Sequence, residues 1–277
     1  MSIAYYNGEF CDFSEVRVPL ADRCIFFGDG IYDAAIGKDG GIYLEKEHID
    51  RFFANAKEMN IKLRFSKEEF SAILGEVIEK NSFKQYFLYF QLTRTLDERR
   101  HAYTDESGSS LLITVKEHAF ANRKLKLITA EDIRYRMCHV KTLNLLPAVI
   151  ASRAAEERGC DEAVFIRDGI VTECAHSNIF IVRNGVLFTH PEGPFILPGV
   201  TRRRVLYFCD KLGIQYAEQK FSKEDLFAAD EILVTSTTKL CVKVDEIDGI
   251  KVGKCGSKSV ADAIISSLKA DFESLKY

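Results

Sequence analysis

One lysine stands in a setting that could make its amine reactive. Lys141 lies among mostly apolar residues at 140–146, Val-Lys-Thr-Leu-Asn-Leu-Leu, after a segment that reads as a strand. A buried ammonium group loses hydration, which lowers its pKa and favours the neutral, nucleophilic amine. A lone lysine is more often a solvated surface residue, so position alone leaves both interpretations open.

Three further segments could bind charged groups. Glu173 ends a predicted strand and precedes an irregular stretch at 174–178, Cys-Ala-His-Ser-Asn. At 197–202, Leu-Pro-Gly-Val-Thr-Arg predicts a turn that opens a helix, whose first N–H groups and dipole can bind an anion. Residues 235–238, Thr-Ser-Thr-Thr, place hydroxyl groups just after another predicted strand. A surface acid at a strand end and simple helix caps are the structural alternatives.

Strand and helix signals alternate in the first half of the chain. These elements must position some of the candidate residues. Turn residues, helical spacing of apolar residues and a Ser66/Glu69 capping box define the elements. The predicted elements are hairpins turning at 7–8 and 39–40, helices over 47–60 and from 66 onward, and strands over 86–92 and 111–115. A polar loop of functional length, 94–110, joins the last two strands.

The second half of the chain begins after a linker-like stretch at 116–124. It contains two hairpin signals, Asp168-Gly169 and Asn184-Gly185, and two helices that end at glycines. The predicted elements are strands over 125–129 and 231–235 and helices over 145–158, 200–212 and 260–275. The mixture predicts an α+β fold in two domains, a small α/β domain at 1–117 and a larger domain at 124–277, with a linker at 118–123.

Composition narrows the function classes. The chain has 277 residues, 47% of them hydrophobic and 29% charged, which is typical of a globular protein. A net charge of −3 gives no reason to expect nucleic acid or membrane as a partner. The first residues lack the basic and apolar regions of a signal peptide, so the sequence predicts a cytoplasmic protein.

The sequence contains neither a metal-binding motif nor a nucleotide-binding motif that would give the candidate residues a role. The eight cysteines form no CxxC pair and no histidine is grouped with them at metal-ligand spacing, so we expect no metal and no disulfide. The glycine-rich stretches at 28–30 and 37–41 match neither GxGxxG nor a Walker loop.

The ordered set of segments resembles the fold-type IV pyridoxal-phosphate enzymes. That family includes D-amino acid aminotransferases, branched-chain aminotransferases and aminodeoxychorismate lyases. The similar segments lie at 27–32, 47–51, 141–144, 171–173, 177–178, 197–202 and 235–238. A single such motif would be weak evidence, but this order is specific. The resemblance implies a larger domain that has a barrel-like β core and carries the Schiff-base lysine.

The resemblance also implies residue roles. Lys141 would carry pyridoxal 5′-phosphate and act as the catalytic base and acid, and Glu173 would pair with the pyridine nitrogen. A carboxylate favours the protonated ring, which the cofactor needs as an electron sink. The residues implied for the cofactor phosphate are Arg51, Val200, Thr201, Ser236 and Thr237.

Residues of the long polar loop distinguish the activities within the family. Arg99 and His101 resemble the Arg-x-His pair of D-amino acid aminotransferases, which holds the substrate α-carboxylate across a homodimer together with a tyrosine that matches Tyr32. An arginine fork suits a carboxylate, although Arg-x-His is short enough to occur in any solvated basic loop. The resemblance thus implies a transaminase for D-alanine-like donors and 2-oxo acids such as 2-oxoglutarate.

Other activities use the same scaffold and stay open. They are branched-chain L-amino acid or R-amine transamination, aminodeoxychorismate lyase activity, and cofactor binding without turnover. Three departures from the family pattern, Asp33, residues 174–176 (Cys-Ala-His) and residues 239–241 (Lys-Leu-Cys), are expected on the substrate side and put the substrate range in doubt.

Overall fold

The computed structural model describes residues 2–95, 99–104, 107–121, 123–253 and 259–275. Parts of the predicted polar loop, Asn122 of the predicted linker, and Cys255 lie outside them. Contacts divide the chain into two compact units, the first comprising 1–119, 140–144 and 275–277, the second 120–139 and 145–274.

The first unit is built on a six-stranded antiparallel sheet with strand order β2-β1-β6-β5-β3-β4. Its strands are β1 (Ile3–Tyr6), β2 (Glu9–Asp12), β3 (Gly30–Lys38), β4 (Gly41–Ile42), β5 (Gln85–Thr95) and β6 (Gly108–Glu117). Its helices are α1 (Arg23–Phe27), α2 (Glu45–Glu58) and α3 (Lys67–Asn81), and a short 3-10 turn covers Phe13–Glu15.

Aromatic side chains join α2 and α3 to this sheet. Phe52 of α2 stacks on Phe70 of α3 at 5.2 Å between ring centroids, and both meet the edge of Phe90 from β5. All three rings are fully buried. The predicted capping box is confirmed, because Ser66 and Glu69 exchange side-chain to backbone hydrogen bonds at the start of α3.

The second unit contains a nine-stranded mixed sheet in the order β12-β11-β10-β13-β14-β7-β8-β9, with β15 paired to β14. Its strands are β7 (Leu125–Glu131), β8 (Glu162–Arg167), β9 (Ile170–Cys174), β10 (Asn178–Arg183), β11 (Val186–Thr189), β12 (Tyr216–Glu218), β13 (Glu231–Ser236), β14 (Leu240–Ile247) and β15 (Ile250–Lys251). Its helices are α4 (Leu146–Glu157), α5 (Val200–Leu212), α6 (Lys223–Ala228) and α7 (Val260–Glu273).

Local turn chemistry sets the two hairpins of this unit. Asp168-Gly169 joins β8 to β9 and Asn184-Gly185 joins β10 to β11, and all four residues have positive φ angles between 50° and 78°. Asparagine, aspartate and glycine adopt that conformation more readily than other residues. Both predicted hairpins are confirmed, and α5 has the predicted bounds.

The segment around Lys141 lacks the strand that the sequence predicts before the lysine. Residues 132–145, which the structure describes throughout, contain no strand. Residues 140–144 belong to the first unit and not to the second, because they hydrogen-bond to β3. Tyr32 N donates to Lys141 O at 2.9 Å, and Leu143 N donates to Gly30 O at 3.0 Å.

The α+β fold class is confirmed by these elements, and several were missed by the sequence patterns. The predicted strands at 86–92 and 111–115 are longer in the structure, and α1, α6, β12, β14 and β15 were not predicted. These missed elements are mostly short or lack a clear period, so local patterns do not reveal them. The predicted domain boundaries and the linker at 118–123 stay predictions.

Candidate active site

Lys141 lies against an aromatic side chain from β3. Its Nζ is 4.1 Å from the centroid of the Tyr32 ring, and both side chains are half-buried. The Tyr32 ring also stacks on Tyr89 of β5, at 5.5 Å between centroids. The backbone bonds to β3 and this aromatic contact hold the lysine in one place, as a catalytic amine requires.

A buried carboxylate holds the arginine predicted to bind phosphate. Arg51 of α2 donates from Nε and Nη2 to the two carboxylate oxygens of Asp33, at 2.7 and 2.8 Å. His48, one helical turn earlier on the same face, contacts the same carboxylate through Nδ1 at 2.9 Å. The three side chains are buried and fix the orientation of the guanidinium.

The ionisation of this group follows from burial and pairing. Burial alone would raise the pKa of Asp33, but the charge of Arg51 and the hydrogen bond with His48 hold that pKa well below its usual range. Burial lowers the pKa of His48 despite the neighbouring carboxylate. Asp33, which departs from the family pattern, is therefore the partner of Arg51. We expected this residue on the substrate side, whereas its side chain contacts Arg51 and His48.

Glu173 is held by three donors at the end of β9. Its Oε1 accepts from Arg134 Nη1 at 2.5 Å, and its Oε2 accepts from Asn178 Nδ2 at 2.9 Å and from Leu197 N at 3.0 Å. The carboxylate is buried, so these donors replace water and stabilise its negative charge. A carboxylate with this charge and fixed direction suits a protonated ring nitrogen.

Arg134 belongs to a larger buried ion network. Its Nε and Nη2 donate to the two oxygens of Asp132 at 2.9 Å each, and Arg167 and Thr172 also contact that carboxylate. Burial alone would raise the pKa of Asp132, but hydrogen bonds and the charge of Arg134, with help from Arg167, lower it to about 2. The network holds Arg134, and Arg134 in turn holds Glu173.

The start of α5 is a buried helix N-terminus without a side-chain cap. Gly199 is the N-cap residue, and a Cβ there would lie 2.1 Å from Asn178 Oδ1. Val200 and Thr201 follow and are buried. The position therefore requires glycine, and the first turn of the helix suits an anionic group such as a phosphate.

The second predicted phosphate segment forms the tight turn between β13 and β14. Ser236 Oγ accepts from Lys239 N at 3.2 Å and lies 3.4 Å from Thr238 Oγ1. Ser236 and Thr237 are half-buried at the start of the turn. Hydroxyl groups gathered in this way can also donate to phosphate oxygens.

Two of the departures from the family pattern meet in one ion cluster. Lys239 Nζ lies 3.0 Å from His176 Nε2 and 3.2 Å from Glu162 Oε2. The fully buried Glu162 also accepts from the backbone N–H of His176 at 2.8 Å and from Ser177 Oγ at 2.9 Å. The cluster joins the loop after Glu173 to the turn that holds Ser236.

The residues predicted to bind the substrate carboxylate lie together on an exposed loop. The Arg99 guanidinium is 5.1 Å from the Phe27 ring centroid, and the His101 ring is 5.2 Å from the same centroid. Both side chains are exposed. Tyr32 is grouped with Lys141, as described above.

The predicted residues thus fall into local groups, each with partners that the sequence patterns did not reveal. Sequence reasoning missed Arg134 and Asp132, and it gave His48 and Asn178 no role although their motifs were recognised. The spacing of His48 and Arg51 on a predicted helix was an available signal. Arg134 and Glu173 are 39 positions apart, and no local pattern joins them.

The described residues contain neither a metal cluster nor a membrane-spanning helix. Within these ranges, no group of three or more His, Cys, Asp or Glu side chains could hold a metal ion. The seven cysteines of the described residues are free thiols. None of the described helices has the length and apolar character needed to cross a membrane.

Comparison with known proteins shows the family. The model of class IV aminotransferases matches residues 30–247, and the chain belongs to that family. Class IV aminotransferases are pyridoxal-phosphate-dependent enzymes. A D-alanine aminotransferase from Bacillus licheniformis is 35% identical over 278 residues, covering 96% of this chain and 97% of the relative. One from Staphylococcus epidermidis is 34% identical, covering 91% of each.

A solved structure confirms the fold. The branched-chain amino acid aminotransferase from Escherichia coli matches with a TM-score of 0.89. The match covers 98% of this chain and 94% of that one at 22% identity, which shows the shared fold and not a shared substrate. The predicted fold-type IV architecture is therefore confirmed.

The ion network around Asp132 generates a stability prediction. In Asp132→Asn, Arg134 and Arg167 lose their buried counter-charge, so we expect the free energy of unfolding at pH 7 to fall by about 3 kcal/mol. The pKa of Asp132 is lowered from 3.8 to about 2 in the folded state, so the stabilisation is complete above about pH 5 and is lost progressively as the pH falls through 2. Urea unfolding of both proteins at several pH values measures the difference.

The matched control is Asp168→Asn. Asp168 is exposed in the turn of the adjacent hairpin at a positive φ that asparagine tolerates, so we expect a change within about 0.5 kcal/mol. A difference between wild type and Asp132→Asn that stays constant from pH 7 to pH 2 would contradict the assignment.

Proposed function

We propose that this class IV aminotransferase transfers the amino group of a D-amino acid, such as D-alanine, to a 2-oxo acid such as 2-oxoglutarate. The observation that carries the proposal is the grouping of Arg99 and His101 on Phe27, in a chain similar to D-alanine aminotransferases over nearly its whole length. A guanidinium and an imidazole side by side suit an α-carboxylate.

The cofactor residues of the proposal are those that the sequence predicted. Pyridoxal phosphate supplies an aldehyde that takes the amino group and a conjugated ring that withdraws electrons from the reacting carbon. Glu173, fixed by Arg134 and Asn178, holds the proton of the ring nitrogen. The phosphate is bound by Arg51, by Val200 and Thr201 at the start of α5, and by Ser236 and Thr237 at the turn between β13 and β14.

Lys141 carries the cofactor and moves the proton of the substrate. Once the substrate amine has displaced Lys141, the freed amine would move a proton from the substrate Cα to the C4′ atom of the cofactor, and in the opposite direction when the 2-oxo acid acceptor is converted to an amino acid. The backbone of Lys141 is fixed to β3 and its side chain lies on the Tyr32 ring, so the amine acts from a defined position. Tyr32 serves the substrate carboxylate together with Arg99 and His101 of the partner subunit.

Half-reactions with D- and L-amino acids test the activity. The purified holoenzyme should lose its visible cofactor band on addition of D-alanine, form pyruvate, and regain the band with 2-oxoglutarate. Lys141→Ala should lose the covalently bound cofactor, which borohydride reduction and peptide mass spectrometry detect in the wild type at residue 141.

The other activities of the scaffold give different results in the same assay. Bleaching by L-leucine and not by D-alanine would replace the proposal with branched-chain transamination. Bleaching by an R-amine only, or pyruvate release from aminodeoxychorismate, would point to those reactions. A protein that takes up the cofactor but never bleaches would be a non-catalytic binder.

Arg99→Ala tests the handedness of the substrate. Loss of a bidentate arginine from the carboxylate should raise KM for D-alanine about 100-fold. The visible cofactor band should be unchanged because Arg99 does not bind the cofactor. Arg100→Ala is the matched control, since that side chain is also exposed on the same loop. Equal effects of the two variants on KM would remove the basis for D-specificity.

The assembly we propose is a homodimer, and one helix face supports it. On α4, the apolar side chains of Leu146, Val149 and Ile150 are 68%, 58% and 55% exposed, whereas Ala151 and Ala155 are buried. Contiguous exposed apolar side chains usually mark a protein interface. A second copy of the chain is the partner that places Arg99 and His101 at the other subunit's substrate. The cytoplasmic location stays a prediction from the sequence.

Val149→Lys tests the dimer. A charge in the middle of this apolar face should leave the fold intact and convert the dimer to a monomer in sedimentation equilibrium, because burying an unpaired ammonium is unfavourable. The monomer should keep the cofactor and lose D-alanine turnover. Glu157→Lys places the same side chain at an exposed polar position of α4 and should stay dimeric. A dimeric Val149→Lys protein would exclude this face.

A further inference from the structure

The exposed loop that carries Arg99 and His101 rests on α1. Phe26 and Phe27 at the end of this helix form an aromatic platform, with the Arg99 guanidinium 5.7 and 5.1 Å from the two ring centroids. The His101 ring lies 5.2 Å from the Phe27 centroid. These contacts alone are weak at an exposed position, at about 0.5–1 kcal/mol each.

One buried arginine fixes the backbone of the same loop. Arg23, the first residue of α1, is 5% exposed and donates from Nη1 to Arg100 O at 2.5 Å and from Nη2 to His101 O at 2.9 Å. Its guanidinium also lies 4.6 Å from the Phe27 centroid. Two successive carbonyl groups of the loop are therefore bound by one planar group.

Arg23 is itself held in a fixed orientation. Its Nε donates to Asp29 Oδ2 at 2.6 Å, and Arg94 Nε donates to the same oxygen at 3.1 Å. Arg94 is buried and donates from its other nitrogens to Met59 O and Asn60 O, just beyond the end of α2. The chain of contacts runs from α2 through Arg94 and Asp29 to Arg23 and the loop.

We propose that Arg23 is a positioning residue for recognition of the substrate α-carboxylate, acting through the backbone of residues 99–101. The inference rests on the proposed function, in which Arg99 and His101 of this loop bind the substrate α-carboxylate. Only a guanidinium has donors for one carboxylate and two carbonyl groups in a rigid plane. With the loop already ordered, the substrate need not supply the free energy of ordering it.

Arg23→Met removes the donors but keeps a side chain of similar length. We expect KM for D-alanine to rise about tenfold, because ordering even one loop residue on binding has a cost of this size. The cofactor band and its dissociation constant should stay those of the wild type. Arg23→Lys keeps the positive charge beside Asp29 but loses the planar geometry, so it should also raise KM even if the methionine variant folds poorly.

The matched control is Arg17→Met. Arg17 also donates to two backbone carbonyls, Ser14 O at 2.9 Å and Val16 O at 3.0 Å, but at an exposed site in a different loop. We expect its KM to be that of the wild type.

A second readout is independent of catalysis. Trypsin cuts after arginine only when the backbone can leave its ordered conformation, so Arg23→Met should speed cleavage after Arg99 and Arg100, as identified by fragment masses. Arg17→Met should not. Wild-type cleavage rates in both Arg23 variants would overturn the proposal.

A double-mutant comparison separates the inference from the proposed function. If Arg23 acts through the loop, Arg23→Met should add no further rise in KM to a protein that already carries Arg99→Ala and His101→Ala. An additive rise would overturn the inference while leaving the function intact. If Arg99→Ala leaves KM unchanged, the proposed function itself fails.

Discussion

A carboxylate can be buried in its charged form only when opposite charges and hydrogen-bond donors replace the water that it loses. Two buried carboxylates and one half-buried carboxylate have an arginine partner of this kind. They are Asp29 with Arg23, Asp33 with Arg51, and Glu173 with Arg134. Each pair contains a residue with a proposed role in the reaction or in loop positioning, so each of these proposed roles depends on an ion pair.

The same constraint gives the pairs their geometry. An isolated surface ion pair contributes little and adopts many conformations, whereas a buried bidentate pair keeps one. Arg51 is bound by both oxygens of Asp33, and Arg134 is bound by both oxygens of Asp132. Each arginine therefore has a fixed direction, which a catalytic or binding group needs. Breaking such a pair affects both stability and the site.

Local signals explain which parts of this molecule could be predicted from its sequence. The Asn184-Gly185 turn, the Ser66/Glu69 capping box and the ends of α5 depend on residues a few positions apart, and all are confirmed. The Arg134–Glu173 pair spans 39 positions and the Arg23 contacts with the loop span 77 and 78. Such partners follow from the tertiary fold, and no period or spacing reveals them. The role predicted for Lys141 rests on the resemblance of its whole ordered context to a family.

Two departures from the family pattern are also partners that local sequence patterns do not reveal. Read along the chain, His176 and Lys239 are two unrelated changes, 63 positions apart. In the structure they contact each other and share the fully buried Glu162, so each change supplies the other's partner. Replacing either of them by a small residue would leave the buried carboxylate with fewer side-chain partners, which is costly for a charge that water does not reach. Both departures therefore have a structural partner in Glu162, and they do not by themselves indicate a different substrate.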